Sequence, residues 1–416
     1  NCMIKETLIA QKQELDKKLK EVYIERTVNL KKLEVPLIKV IIGPRRAGKS
    51  FFALHFLNKR GNFGYVNFDD EKLIDVKDYD AIVESMNTIY SNPKFILFDE
   101  IQNLPKWELF VNRLHRQNLN LIVTGSNSKL LSKELATHLT GRHFLIIIFP
   151  FSFKEYLEIE KKELTSHQLK EKLYNYIIYG GYPEPLIRNI DYKDYLKTLF
   201  NSIVYKDIVK RYKIRFPQGV EDLAYYLMSN IANEYSYNTL AKMTKINSVH
   251  TIEKYLGYLE EAFIFFSLTK FSYKVKEQIT SNKKIYCIDN GFIHANAFKA
   301  SPDFGRLYEN AVALELKRRE LNDDIKVYYW KNQQQEEVDF LVKEGLKVKQ
   351  LIQVCYNIND LETKNREVRA LIKAGKELKC KNLLIINEDK ESEDKVEWFG
   401  DKAAIKFIPL WKWLLE

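Results

Sequence analysis

The eight residues Gly43-Pro44-Arg45-Arg46-Ala47-Gly48-Lys49-Ser50 constrain this chain more than any other part of it. They follow an apolar run, Leu37-Ile38-Lys39-Val40-Ile41-Ile42, and lead into Phe51-Phe52-Ala53-Leu54-His55-Phe56-Leu57. A buried strand, a glycine-bearing turn and an amphipathic helix therefore follow one another, and in that context G-x4-G-K-S reads as a phosphate-binding loop. The glycines permit a backbone whose successive N–H groups point inward around a phosphate at a helix N-terminus, where the dipole also favours anions. Residues Gly43 to Phe51 would contact the nucleotide, with Lys49 reaching the β- and γ-phosphates and the Ser50 hydroxyl ligating Mg2+. A chance match in a surface loop is the competing reading, and the flanking strand and helix patterns weigh against it.

Some fifty residues further on, Lys94-Phe95-Ile96-Leu97-Phe98-Asp99-Glu100 is a short apolar run ending in two acids. A buried parallel strand that delivers carboxylates at its C-terminal edge is what a magnesium site beside such a loop requires. Asp99 would hold Mg2+ through a water, and Glu100 would orient or deprotonate the attacking water. Taken alone, an ordinary strand end capped by acids explains the same residues. A further strand, Asn120-Leu121-Ile122-Val123-Thr124, runs into Gly125-Ser126-Asn127-Ser128. Ser126 or Asn127 suits a polar sensor near the γ-phosphate, and the same four residues are equally plain turn chemistry.

At 416 residues the chain exceeds one compact core, and its 45% hydrophobic and 13% aromatic content excludes disorder. No apolar stretch approaches the roughly 20 residues of a membrane span, and no charged-then-apolar leader is visible, so the expected location is cytoplasmic. Asn1 and Cys2, ahead of Met3, carry no functional argument. Four cysteines (Cys2, Cys287, Cys355 and Cys380) lie far apart, which fits a reducing compartment and speaks against a structural zinc site. A net charge of +10 points towards an anionic partner without demonstrating one. Lys206, Lys210 and Lys213 would share one helix face, either a phosphate-binding surface or a merely solvated one.

Changes of pattern place three domains at 1–158, 159–282 and 283–416. The first begins with a charged helix from Glu6 to Arg26 and continues as the α/β P-loop NTPase core, a parallel sheet with helices on both faces. In the mainly helical second part, Asn238–Met243 and the helix opened by Ser248 form a helix-turn-helix. The runs from Phe265 to Lys274 and from Lys283 to Ile288 would add a hairpin with Lys270, Lys274, Lys276, Lys283 and Lys284 on or near its tip, the order of a winged helix. Ser248, Thr251 and Lys254 face outward, but the second helix offers no arginine or glutamine to read bases, so non-specific or purely structural use is favoured.

The third part, a mixed α/β domain, reads as helix 307–319, strands at 326–330, 338–342 and 351–355, helix 360–374 and strand 383–386. That order resembles the core of restriction-endonuclease-like folds, which place an acid on the first helix, an Asp on the second strand and Glu-x-Lys on the third. Glu309 and Asp339 match the first two positions. The third reads Gln353-Val354-Cys355, lacking both carboxylate and lysine, so the resemblance implies a nuclease fold without efficient cleavage unless Lys349 or Lys364 takes the missing role.

The ordered set GPRRAGKS, YVNFDDEKL (65–73), FILFDEIQNLPKWE (95–108), LIVTGSNSKLLSKELATHLTGRHF (121–144), YGGYPEP (179–185), EEVDFLV and IQVCYN resembles a prokaryotic, especially archaeal, family of AAA+-type ATPases over nearly the whole chain. The resemblance implies Walker A residues Lys49 and Ser50 and Walker B acids Asp99 and Glu100, with ATP and Mg2+ as cofactors. It also implies an arginine finger at Arg142, in cis or towards a neighbouring subunit, where a helix-end arginine bonding carbonyls is the alternative. The expected function is Mg-dependent ATP hydrolysis coupled to conformational change on DNA. A nucleotide-gated protein switch, with a protein partner or a homo-oligomer, and an ATP-regulated metal-dependent nuclease are the alternatives. Helicase and kinase readings lack a second ATPase lobe and a Gly-x-Gly-x-x-Gly loop respectively.

Overall fold

Five short apolar runs pair as five parallel strands, and their order sets the position of everything at their C-terminal edge. A computed structural model describes residues 2–29, 33–125, 139, 141–297, 302–398 and 400–416. The described chain forms two compact units, Asn1–Pro150 with Glu261–Phe263, and Phe151–Glu260 with Ile264–Glu416.

In the first unit β1 (Ile38–Ile42), β2 (Phe63–Asn67), β3 (Phe95–Asp99), β4 (Asn120–Gly125) and β5 (His143–Ile147) form one sheet in the order β2-β3-β4-β1-β5. Every pairing is parallel, and all five residues of β1 are buried, as a strand covered on both faces must be. The phosphate-binding loop leaves this central strand and enters helix α2 (Lys49–Asn58), so the expected P-loop NTPase core is present. Helix α1 spans Cys2–Lys18 and not Glu6 to Arg26. Ile4, Leu8, Gln11 and Leu15 form its buried stripe, and the Gln11 amide bonds both the N–H and the carbonyl of Asn67 at 2.9 and 3.0 Å. The helix thus covers the exposed edge of β2. Beyond Lys18 the chain is irregular and carries Arg26 into a buried position.

The second unit opens with helices and continues with two sheets. Strands β6 (Glu234–Tyr235), β7 (Phe265–Thr269) and β8 (Lys283–Cys287) form the first, in the order β6-β8-β7. The helices Pro217–Ser229, Tyr237–Thr244 and Val249–Glu261 alternate with it in sequence. The connection from β7 to β8 is no tight hairpin tip but holds the short helix Val275–Thr280. Lys284, expected near that tip, is instead 2% exposed. The expected lysine-bearing helix is a π-helix over Ile203–Val209, which shifts side-chain spacing, and Lys213 ends it in the left-handed conformation at φ 51°.

The mixed sheet runs β13-β14-β12-β11-β10-β9, built from β9 (Ile325–Lys331), β10 (Glu337–Glu344), β11 (Lys347–Val354), β12 (Leu383–Asn387), β13 (Ser392–Trp398) and β14 (Asp401–Pro409). Strands β9 to β11 form an antiparallel meander, and the helix Leu361–Glu377 makes the crossover to the parallel β12. The terminal β13–β14 pair was not expected from the sequence; β13 alternates partly buried and exposed positions along its whole length, without an apolar run.

The motif at 179–185 has a structural explanation. Gly180 lies at φ +78°, and a Cβ there would meet Asp289 Oδ1 at 1.8 Å. The Gly181 and Gly291 N–H groups each donate to the Asp289 carboxylate at 2.8 Å. Burial nevertheless pushes that carboxyl up to about 7. Gly180→Ala should therefore destabilise the second unit by about 3 kcal/mol or more, from backbone strain plus displacement of a buried carboxylate. Gly345→Ala, also at positive φ but with open space around it, should cost only about 1 kcal/mol. Urea unfolding of the two variants checks the difference.

Candidate functional site: the C-terminal edge of the parallel sheet

Because β1, β3 and β4 are adjacent and parallel, their last residues meet at one edge. There Gly43 takes φ +147°, and a Cβ on it would lie 2.1 Å from the Ile148 carbonyl oxygen, so the loop can leave the strand this way only at glycine. Gly48 precedes α2 at φ 92°, and Arg46 is also left-handed at 66°. The N-terminal turn of the ten-residue α2 presents its backbone N–H groups at this point. Lys49 is buried, its Nζ donating to the Pro44 carbonyl at 2.9 Å across the loop.

Asp99 is 4% exposed and accepts hydrogen bonds from three hydroxyls. Ser50 Oγ donates to Oδ1 at 2.7 Å, Thr124 Oγ1 also donates to Oδ1, and Tyr65 OH approaches Oδ2 at 3.3 Å. Burial, and then the Asp99 charge, push the Tyr65 phenol far up, so it remains a donor. The next residue, Glu100, lies in the left-handed region at φ 51°. Its N–H donates to Thr124 Oγ1 at 3.1 Å, and its carboxylate accepts from the Gln102 amide. A non-glycine residue held there costs about 1–3 kcal/mol and turns the carboxylate out of the strand direction.

Two residues at this edge were missed from the sequence. Thr124 was read only as the end of a strand, yet register places it beside Asp99, because Phe98 pairs with Val123. Arg26 was read as the last residue of the charged N-terminal helix. It is buried, and its guanidinium donates to the Ala47 carbonyl at 2.9 Å and to the Phe149 carbonyl, clamping the loop to the segment after β5. Neither contact leaves a local sequence signal.

Arg142 is not brought to this edge. It is exposed and directly precedes β5, pairing through its carbonyl with the Ile38 N–H at the start of β1. The length of β5 therefore separates it from the loop by roughly 16 Å, and a finger acting in cis is excluded. Ser126, Asn127 and Thr140 lie outside the described residues.

In the second unit, Glu309, Asp339 and Gln353 converge. Gln353 Oε1 accepts the Asp339 N–H at 3.2 Å, while Glu309 and Asp339 both reach Lys284 Nζ, at 2.9 and 3.2 Å. Neither Lys349, paired with Glu344, nor Lys364, placed over the Phe407 ring, takes the missing lysine's role. Burial, and then the Asp339 charge, push the Glu309 carboxyl up to about 7.

Residues 36–157 match a family model described as an AAA domain. Residues 170–302 and 304–413 match two described as domains of unknown function (DUF8612 and DUF4143). An uncharacterized protein of Methanocaldococcus jannaschii is 38% identical over 99% of this chain and 95% of its own length. The chain belongs to this family of AAA-domain proteins. An uncharacterized Haemophilus influenzae member is 31% identical over 83% of this chain and 89% of its own. Among solved structures, a Walker-type ATPase of Pyrococcus abyssi covers 66% of this chain and 95% of its own, at 14% identity and TM-score 0.43. No described helix of this AAA-domain protein is long and apolar enough to cross a membrane.

Arg26→Ala should leave the buried Ala47 and Phe149 carbonyls without their charged donor, at about 2–3 kcal/mol. Arg26→Lys should recover at most part of this, because one ammonium replaces a two-pronged guanidinium. Unfolding of the first unit by denaturant, with nucleotide affinity measured alongside, tests both.

Proposed function

We propose that this protein binds ATP with Mg2+ at the C-terminal edge of the parallel sheet and hydrolyses it, coupling turnover to conformational change on DNA. One observation carries the reading: the Ser50 hydroxyl, from the first turn after the glycine loop, stands 2.7 Å from the carboxylate at the end of β3. Hydroxyl and carboxylate oxygens suit a small, hard cation, so Ser50 and Asp99 would hold Mg2+, whose charge would favour the triphosphate there. Gly43 to Phe51 would bind phosphate through backbone N–H groups, and the Lys49 ammonium would face the β- and γ-oxygens. Glu100, fixed by Thr124 and Gln102, would accept a proton from the attacking water. Ser126 or Asn127 would sense the γ-phosphate. Arg142 would act only on a neighbouring copy.

The order helix, β6, helix, helix, β7, β8, with β8 between the other two strands, supports the winged-helix reading. Lys254, Lys274 and Lys276 are exposed on it for phosphate contact. A specific observation also favours a protein partner: Tyr273, Val275 and Ile279 are each more than 70% exposed at that wing. The helix Phe304–Asn322 and strands β9 to β12 support a restriction-endonuclease-like domain, while Gln353 in place of a carboxylate argues against cleavage.

Lys49→Ala should abolish nucleotide binding. Glu100→Gln should retain binding while lowering turnover on the order of 10²- to 10⁴-fold. Turnover with and without duplex, forked and single-stranded DNA should show stimulation that falls steeply between two salt concentrations. Unchanged turnover and no DNA binding at low salt would discard the DNA partner, leaving the nucleotide-gated protein switch. Failure of wild-type protein to bind or hydrolyse ATP would discard the whole reading.

A further inference from the structure

The second unit contains a buried cation that the nucleotide chemistry does not use. Lys284 on β8 is 2% exposed, and its ammonium stands 2.9 Å from Glu309 Oε1, 3.2 Å from Asp339 Oδ1 and 2.5 Å from Glu337 Oε1. An ammonium has three N–H bonds and no acceptor, so three carboxylates, from the helix Phe304–Asn322 and from β10, use its whole donor capacity. The surrounding oxygens are engaged as well. Tyr286 OH donates to Glu309 Oε1 at 2.8 Å, the Val354 N–H donates to Asp339 Oδ2 at 2.9 Å, and Lys331 lies 3.6 Å from Glu337 Oε2.

Carboxylates crowded on one buried point repel one another and require a cation among them, either a metal ion or a side chain. Here the side chain is present and fully coordinated. Burial alone would lower the Lys284 pKa, but Glu309, Asp339 and Glu337 outweigh it and hold it well above its ordinary value. Gln353, whose Oε1 accepts the Asp339 N–H and whose amide nitrogen donates to Glu367, is neutral where a further ligand carboxylate would stand.

We propose that the Lys284 ammonium is the resident cation of this centre, taking the position among Glu309, Glu337 and Asp339 that a divalent metal would take, and so making the nuclease-like domain independent of metal. The inference rests on this cluster and on the restriction-endonuclease-like reading of the domain, and failure of the nucleotide reading leaves it standing. A cavity of about 600 Å3 bordered by Glu309, Glu337, Asp339, Gln353 and Glu367 gives an ion access once the ammonium is removed.

The test is Mn2+ binding to the full chain, followed by electron paramagnetic resonance, in wild type, Lys284→Ala, Asp339→Asn and the double variant. Lys284→Ala should bind one Mn2+ more than wild type, and the double variant should lose it again. The proposal is overturned if folded Lys284→Ala binds no additional Mn2+, or if Asp339→Asn alone lowers the wild-type stoichiometry. Should Lys284→Ala fail to fold, wild-type protein with 13C-labelled tyrosine decides. The Tyr286 signal, assigned with Tyr286→Phe, should stay sharp on addition of Mn2+, and its selective broadening would overturn the proposal.

Discussion

A carboxylate as deeply buried as Asp99 is tolerable only if its oxygens are occupied, and the arrangement of the first unit follows from how that is done. Its partners come from three separate places: Ser50 from the first turn of α2, Thr124 from β4 and Tyr65 from β2. These residues meet only if the strands run parallel in the order β2-β3-β4-β1, with the loop departing from β1. The polar requirement of one side chain therefore agrees with the apolar requirement of the sheet. Agreement of this kind between levels is what lets a sequence specify one fold.

The two charged centres solve the same electrostatic problem in opposite ways. At the sheet edge, Asp99 is surrounded by hydroxyls, neutral donors that leave its charge available to an incoming cation. In the second unit, Glu309, Glu337 and Asp339 are matched by Lys284, a covalently attached charge. Neutral donors can share an oxygen with a metal ion, whereas an ammonium occupies the metal's space.

What could be read directly from the sequence was what is consecutive in it. Gly43 to Ser50 and the run ending in Asp99 and Glu100 are contiguous, and their apolar flanks identify the strands that carry them. The helix and first four strands of the mixed sheet were legible for the same reason. Thr124, Arg26 and Lys284 were not, since each acts on residues brought near only by tertiary pairing, and each has a bland local explanation. Lys284 misleads most, because it sits among Lys283, Lys276 and Lys274 and reads as one of an exposed basic set. Every position of β8 from Lys284 to Cys287 is buried, and strand alternation puts Lys284 on the same face as Tyr286. Arg142 differs again: the direction of β5, which no local motif records, puts it at the start of that strand, away from the loop.

The lysine centre also bears on why the second unit holds together as one body. Lys284 belongs to the three-stranded sheet, while Glu337 and Asp339 belong to β10 of the six-stranded sheet and Glu309 to the helix beside it. An apolar contact between two sheets tolerates sliding by a fraction of a residue, because dispersion is non-directional. An ammonium with three acceptors does not, since a shift that breaks one bond leaves a buried charge under-compensated. The cluster therefore fixes the register of one sheet against the other at some expense in desolvation. The Asn310 amide, next to Glu309 on the same helix and bonded to both the N–H and the carbonyl of Cys287 at the end of β8, adds a second directed constraint on that strand. Together they make the placement of β8 a matter of directed bonds, which is how a lysine within a basic stretch comes to have a single buried position.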